Sequence, residues 1–99
     1  MIFNTVQDIK TLSRDMGDHW FSPDTMRFFS SRVGHKVYGG KYFISSEQYD
    51  YKSPRLYTIR KATYSNGRFS IDTVGDFQQY ETKAQAERAV LALIREENN

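Results

Sequence analysis

Apolar residues recur at helical spacing near the start of the chain. They are Val6, Ile9, Leu12 and Met16, each three or four positions from the next. This period predicts an amphipathic helix over residues 5–16. Thr5 and Asp8 have the spacing of a capping box at its start, and Gly17 is a typical residue for its C-terminal end.

A second helix is predicted to begin at Ser22, a favourable N-cap residue that precedes Pro23 at the first helical position. The apolar stripe that defines this helix comprises Met26, Phe29 and Val33. Gly34 is its predicted end. Arg27 and Arg32 fall off the stripe, so we expect the helix to present basic side chains beside its apolar face.

Three strands are predicted after this helix because β-branched and aromatic residues are frequent there. They span residues 41–46, 55–64 and 68–74. Asn66-Gly67 predicts a hairpin between the last two. Its register has two alternatives: a two-residue loop places Ala62 opposite Ile71, and a three-residue loop places Ile59 opposite Thr73. Residues 47–54 form the one predicted long loop.

The last segment has helical spacing again. Its apolar positions are Ala86, Ala89, Val90, Leu93 and Ile94. Thr82 and Gln85 have the spacing of a capping box at its start. The element order is therefore α-α-β-β-β-α. It predicts a single α+β domain over residues 1–99, with a three-stranded antiparallel meander whose helices cover one face.

The amino-acid composition excludes several classes of protein. The 99 residues are 15% aromatic and contain no cysteine, which is untypical of a disordered tail and excludes a disulfide framework. No apolar run approaches the length of a membrane span, and the N-terminal residues do not resemble a signal peptide. We therefore expect a protein that does not enter membranes and lies in a reducing, cytoplasmic compartment.

The formal net charge of +2 is unevenly distributed. Residues 27–68 carry nine basic and two acidic side chains, a net charge of +7, whereas residues 1–26 carry −2 and residues 69–99 carry −3. Nine of the fifteen aromatic residues lie in the same basic segment: Phe28, Phe29, Tyr38, Tyr42, Phe43, Tyr49, Tyr51, Tyr57 and Tyr64. Such a segment favours an anionic macromolecular partner, either nucleic acid or an acidic protein surface.

No catalytic or metal-binding pattern accompanies this charge. The two histidines, His19 and His35, lack ligand spacing. There is no nucleophile elbow and no phosphate-binding glycine loop. Gly39-Gly40 is better explained as a tight turn or bulge than as a phosphate cradle. We therefore expect no enzyme activity, no cofactor, no metal and no catalytic residue.

The candidate binding residues are cations and aromatics of the basic segment, because cations release counterions from a polyanion and aromatic rings stack on unpaired bases. They are Arg27, Arg32, Lys41, Tyr42, Arg55, Tyr57, Arg60, Lys61, Tyr64 and Arg68. On the second predicted strand, residues 55–64, Arg60 shares one face with Leu56 and Tyr64, and Lys61 lies on the other face. Two other interpretations stay open: these are ordinary strand residues with a solvated charged face, or the aromatics complete a homodimer.

The C-terminal half resembles two groups of nucleic-acid-binding domains. The residues concerned are Tyr57-Thr-Ile-Arg-Lys61, Ser65-Asn-Gly-Arg-Phe69 and Tyr80-Glu-Thr-Lys-Ala-Gln-Ala-Glu-Arg-Ala-Val90. They are similar to the arm-binding domains of phage and transposon integrases, which lay a three-stranded sheet into the DNA major groove. The element order also resembles double-stranded-RNA-binding domains, and of their lysine cluster at the start of the last helix Lys83 is present.

A longer resemblance covers most of the chain. It is carried by Phe21-Ser-Pro-Asp-Thr-Met-Arg-Phe-Phe-Ser-Ser-Arg32, Val37-Tyr-Gly-Gly-Lys-Tyr-Phe-Ile-Ser-Ser-Glu-Gln48, Arg55-Leu-Tyr-Thr-Ile-Arg60 and Thr73-Val-Gly-Asp-Phe77. These runs resemble an uncharacterised family of small phage, prophage and plasmid proteins. The resemblance implies a mobile-element protein in the bacterial host cytosol and carries no mechanism of its own. From the basic aromatic segment we expect such a protein to bind nucleic acid or a nucleoprotein complex. The alternative is a protein-binding inhibitor of a host defence system, of the anti-CRISPR or anti-restriction type.

Overall fold

The computed structural model describes residues 1–99 as one four-stranded antiparallel sheet and three helices. In chain order the elements are α1 (Val6–Asp15), α2 (Pro23–Phe28), β1 (Arg32–Val33), β2 (Tyr42–Gln48), β3 (Arg55–Ser65), β4 (Arg68–Val74) and α3 (Lys83–Glu97). The strands lie side by side in the order β1-β2-β3-β4. No helix combines the length and the apolar character that crossing a bilayer requires.

The helix starts and the hairpin register agree with the sequence. Thr5 caps α1 and Thr82 caps α3, each within a complete capping box, and Ser22 caps α2 ahead of Pro23. In the hairpin, Ala62 lies opposite Ile71. The two-residue alternative is therefore the one that the structure adopts, because Asn66 and Gly67 both take the positive φ angles that such a loop requires.

The prediction that the second helix continues to Val33 is wrong. The helix ends at Phe28, because Ser30 adopts a positive φ of 48°. The amide of Ser30 then donates to the carbonyl of Arg27, and the amide of Ser31 donates to that of Met26. These two bonds form a Schellman motif that turns the chain away from the helix axis.

The turned chain adds a fourth strand to the three that were predicted. Arg32 and Val33 form β1, in register with Ser46 and Ser45 of β2. β2 extends to Gln48, so the loop that follows spans residues 49–54 rather than 47–54. The element order is therefore α-α-β-β-β-β-α within the predicted α+β class.

Both faces of the sheet are covered, whereas the sequence predicted helices on one face. α3 packs on one face around Ile44, Ile59 and Val90. The N-terminal segment with α1 packs on the other face, around Ile9 and Phe43. This coverage explains why six of the seven residues of β2 are buried, since a strand exposed on one face would alternate between buried and exposed positions.

Candidate functional site

Two grooves lie on either side of α2, and both contain predicted or newly found candidate residues. We call them the basic groove and the aromatic groove. The basic groove has a volume of about 590 Å³ and is lined by Pro23, Met26, Arg27, Ser30, Ser31, Arg32 and Arg55. The aromatic groove has a volume of about 530 Å³ and is lined by Trp20, Asp24, Thr25, Met26, Phe28, Phe29, Ser31, Glu47, Arg60 and Phe77. They share Met26 and Ser31, so they are contiguous around the helix.

The basic groove brings together three of the predicted cations. Arg27 is exposed in the last turn of α2 and pairs with Asp24 at 2.7 Å. Arg32 is exposed on β1. Arg55 is half-buried and donates to the carbonyl and the hydroxyl oxygen of Ser46, each at 3.1 Å. No carboxylate lines this groove. Asp24 offsets only Arg27, through an exposed ion pair, so the surface has an excess of positive charge.

A smaller notch of about 190 Å³ continues the basic groove towards the start of α3. Arg32 lines both, and the notch also contains Tyr57 and Lys83. Lys83 therefore adds a fourth cation to the same side of the molecule. No acidic residue lines the notch.

The aromatic groove is lined by ring systems that contact one another. Phe28 and Phe29 pack edge to face with their centroids 4.6 Å apart, and Phe29 lies 5.3 Å from Phe77. Phe28 is 77% exposed and Phe77 is 42% exposed. Exposed rings that are contiguous in this way, through Phe29, are typical of interaction surfaces.

Arg60 lies in the aromatic groove, where it is 9% exposed and forms an ion pair with buried Glu47 at 3.2 Å. Its guanidinium is within 5.3 Å of the Trp20 ring centroid and 5.5 Å of that of Phe77. It also donates to the hydroxyls of Ser45, at 3.0 Å, and Thr73, at 2.5 Å. Arg60 is therefore an internally paired cation rather than an exposed one.

Glu47 is 1% exposed, and hydroxyl groups complete its coordination. Thr58 donates to one carboxylate oxygen at 2.6 Å, and Ser45 donates to the other at 2.5 Å. The side chain of Gln78 donates to the backbone carbonyl of Glu47 at 2.9 Å. Because every buried polar atom of this network has a partner, the charges hold the floor of the aromatic groove in one arrangement.

Three other predicted residues lie near the C-terminal end of α3, away from both grooves; they are Lys41, Tyr42 and Lys61. Lys41 pairs with Glu97 at 2.8 Å, and the hydroxyl of Tyr42 donates to the same carboxylate. Burial, and then this hydrogen bond, raise the pKa of Tyr42 to about 12. The hydrogen bonds from Lys41 and Tyr42, together with the nearby charge of Lys61, lower the pKa of Glu97. These cations are therefore partly neutralised within the molecule.

The remaining two predicted residues belong to the β3–β4 hairpin. Tyr64 is half-buried and packs against the core on the α1 face. Arg68 is exposed next to the Asn66-Gly67 turn. Neither lines the basic groove or the aromatic groove. The ten candidates are thus distributed over several regions, and only Arg27, Arg32 and Arg55 share one groove.

Sequence reasoning missed several residues of these grooves. Trp20, Phe77 and Glu47 lie outside the predicted strands and helices, and Lys83 was noted only for its resemblance to a lysine of RNA-binding domains. One signal was available: Trp20 is the only tryptophan of the chain. The pairing of Glu47 with Arg60 gave no signal, because it depends on the alignment of β2 with β3.

Comparison with known proteins identifies the family of this chain. The model of a family of unknown function, DUF7447, matches residues 5–91. The chain belongs to the DUF7447 family. No curated protein and no solved structure shows significant similarity to it. The residues that line both grooves around α2 lie within the matched range.

Proposed function

We propose that this DUF7447 protein is a non-enzymatic, cytoplasmic accessory protein of a phage or another mobile element, and that it binds nucleic acid or a nucleoprotein complex. The observation that carries the proposal is the basic groove. Arg27, Arg32 and Arg55 line one surface that contains no carboxylate, and Lys83 extends it. Such a surface attracts a polyanion, because each cation that contacts a phosphate releases condensed counterions.

The shape of the basic groove and the arrangement of its cations support a polymeric ligand rather than a small anion. It is open and shallow, and Arg32 connects it to the notch that contains Lys83. The cations therefore follow a path across α2, β1 and the start of α3. A chain of phosphates can contact them in succession.

Binding to nucleic acid tests the proposal. A fluorescein-labelled oligonucleotide of about twelve nucleotides is titrated at about 50 mM salt, where we expect a micromolar or tighter dissociation constant by fluorescence anisotropy. The double variant Arg27→Ala/Arg32→Ala removes two exposed cations. We expect it to weaken binding by about tenfold or more.

The matched control is Arg68→Ala/Arg95→Ala, which lowers the net charge by the same amount at two exposed arginines outside both grooves. We expect this control to bind like the wild type. Equal losses for the two double variants would show that binding depends on net charge alone. No anisotropy change with single-stranded or duplex DNA or RNA would refute the proposal.

A second candidate function is favoured by the loop at residues 49–54. Tyr49 is 70% exposed and Tyr51 is 85% exposed, and exposed tyrosines are typical anchors of protein interfaces. We infer from them the alternative of a protein-binding inhibitor of a host defence system. Phage plaquing on hosts with and without their defence systems tests it. A protective effect that Tyr49→Ser/Tyr51→Ser abolishes, without nucleic-acid binding, would favour this alternative.

A further inference from the structure

We propose that the aromatic groove receives an unpaired base of a single-stranded nucleic acid whose phosphates lie in the basic groove. This inference rests on the proposed function and specifies its ligand. Two observations carry it: exposed aromatic rings surround a paired, net-neutral floor, and this groove is contiguous with the cationic one through Met26 and Ser31.

The rings of the groove present surfaces on which a base can stack. Phe28 uses one edge-to-face contact with Phe29 and is otherwise 77% exposed. Phe77, on the segment after β4, contacts the same Phe29 ring with the centroids 5.3 Å apart and is 42% exposed. Stacking on such rings does not depend on base identity, because every base has a π-face. The expected binding therefore has little sequence preference.

The two grooves differ in charge, and this difference matches that between the uncharged base and the anionic phosphate of a nucleotide. In the aromatic groove Glu47 neutralises Arg60, and the other carboxylate of the lining, that of Asp24, pairs with Arg27, so this groove offers no unpaired cation. A phosphate is therefore disfavoured there, while an uncharged base is not. In the basic groove no carboxylate is present, so the phosphate is favoured on that side of α2.

Arg60 can also hydrogen-bond to the base. A guanidinium has five N–H donors, and the hydrogen bonds from Arg60 to Ser45, Thr73 and Glu47 use three of them. Two donors remain for acceptor atoms on a base edge. Because the hydroxyl and carboxylate network already fixes the guanidinium, little side-chain entropy is lost when a ligand binds.

Trp20 provides a direct readout, since it is the only tryptophan and lines the groove. We expect oligo(dT) of about twelve nucleotides to change the Trp20 emission on binding. An abasic oligomer of the same length has the same phosphates and no bases. We expect it to bind at least about fivefold more weakly than oligo(dT), the lower limit for one base–aromatic stack, and to leave the emission unchanged.

Phe28→Ala tests the groove itself, with Tyr51→Ala as the matched control. Both rings are highly exposed, and Tyr51 does not line the groove, so both variants should keep the wild-type thermal midpoint. We expect Phe28→Ala to weaken oligo(dT) binding at least about fivefold and Tyr51→Ala to leave it unchanged. A duplex of the same length should leave the emission of Trp20 unchanged.

The results separate this inference from the proposed function. Equal affinity for the abasic oligomer and oligo(dT), or wild-type affinity in Phe28→Ala, would overturn base docking. The proposed function would still stand if Arg27→Ala/Arg32→Ala lost affinity in the same assay. If no oligonucleotide or duplex binds, both proposals fail. A protein that occupies the groove instead would appear as a partner whose binding requires Phe28 in the absence of any nucleic-acid binding.

Discussion

At the scale of single residues, Arg60 shows how burial changes the role of a charge. The sequence made it a candidate contact for an anionic partner, yet it is 9% exposed and bonded to Glu47 and hydroxyl groups. The alternation of β3 was predicted correctly, since Arg60 and Tyr64 lie on one face of the strand and Lys61 lies on the other face. What the sequence did not show is that Trp20 and Phe77 cover that face.

Breaking the Arg60–Glu47 pair should destabilise the fold. Arg60→Met leaves the carboxylate of Glu47 buried without its cation, and losing one partner of a buried pair costs about 3–5 kcal/mol. Glu47→Leu/Arg60→Met removes both charges and should recover much of that loss. Urea unfolding measures the difference. A single variant as stable as the wild type would contradict the structural role of the pair.

At the scale of the elements, two helix ends illustrate what local sequence can predict. Gly17 ends α1 at a φ of 74°, as predicted, in a Schellman motif that the amides of Gly17 and Asp18 complete. α2 ends in the same motif, but Ser30 occupies the left-handed position. Serine carries no signal for that conformation, whereas the spacing of Phe29 and Val33 favours a longer helix. Pairing with β2 therefore decides the end of α2, and pairing is not visible locally.

Ser30→Gly tests whether the left-handed conformation of Ser30 at the end of α2 carries backbone strain. Glycine adopts a positive φ without the steric cost of a Cβ atom, so we expect the free energy of unfolding to rise by about 0.5–1 kcal/mol. Ser30→Ala keeps the Cβ atom and should give no increase. Chemical denaturation of the three proteins compares them. A gain in Ser30→Ala as large as that in Ser30→Gly would contradict backbone strain as the cause.

At the scale of the whole molecule, the fold places the basic side chains of residues 27–68 in several separate regions. The sequence predicted the α+β class, the three longer strands and the three helix starts, because caps, turns and periodicity are local. It could not predict which cations meet. Lys41 and Lys61 lie near Glu97, Arg60 is internal, and Arg27, Arg32 and Arg55 share the basic groove. A net charge of +7 over residues 27–68 is therefore not one surface.

The most direct test of a nucleic-acid surface around α2 is an NMR titration of the ¹⁵N-labelled protein with oligo(dT). We predict amide shift changes in α2 and β1, near Arg55 and at Phe77, which border the two grooves. The hairpin turn at Asn66 and the C-terminal end of α3 should not respond. Changes confined to that hairpin turn or to the C-terminal end of α3, or no changes at all, would contradict the proposal.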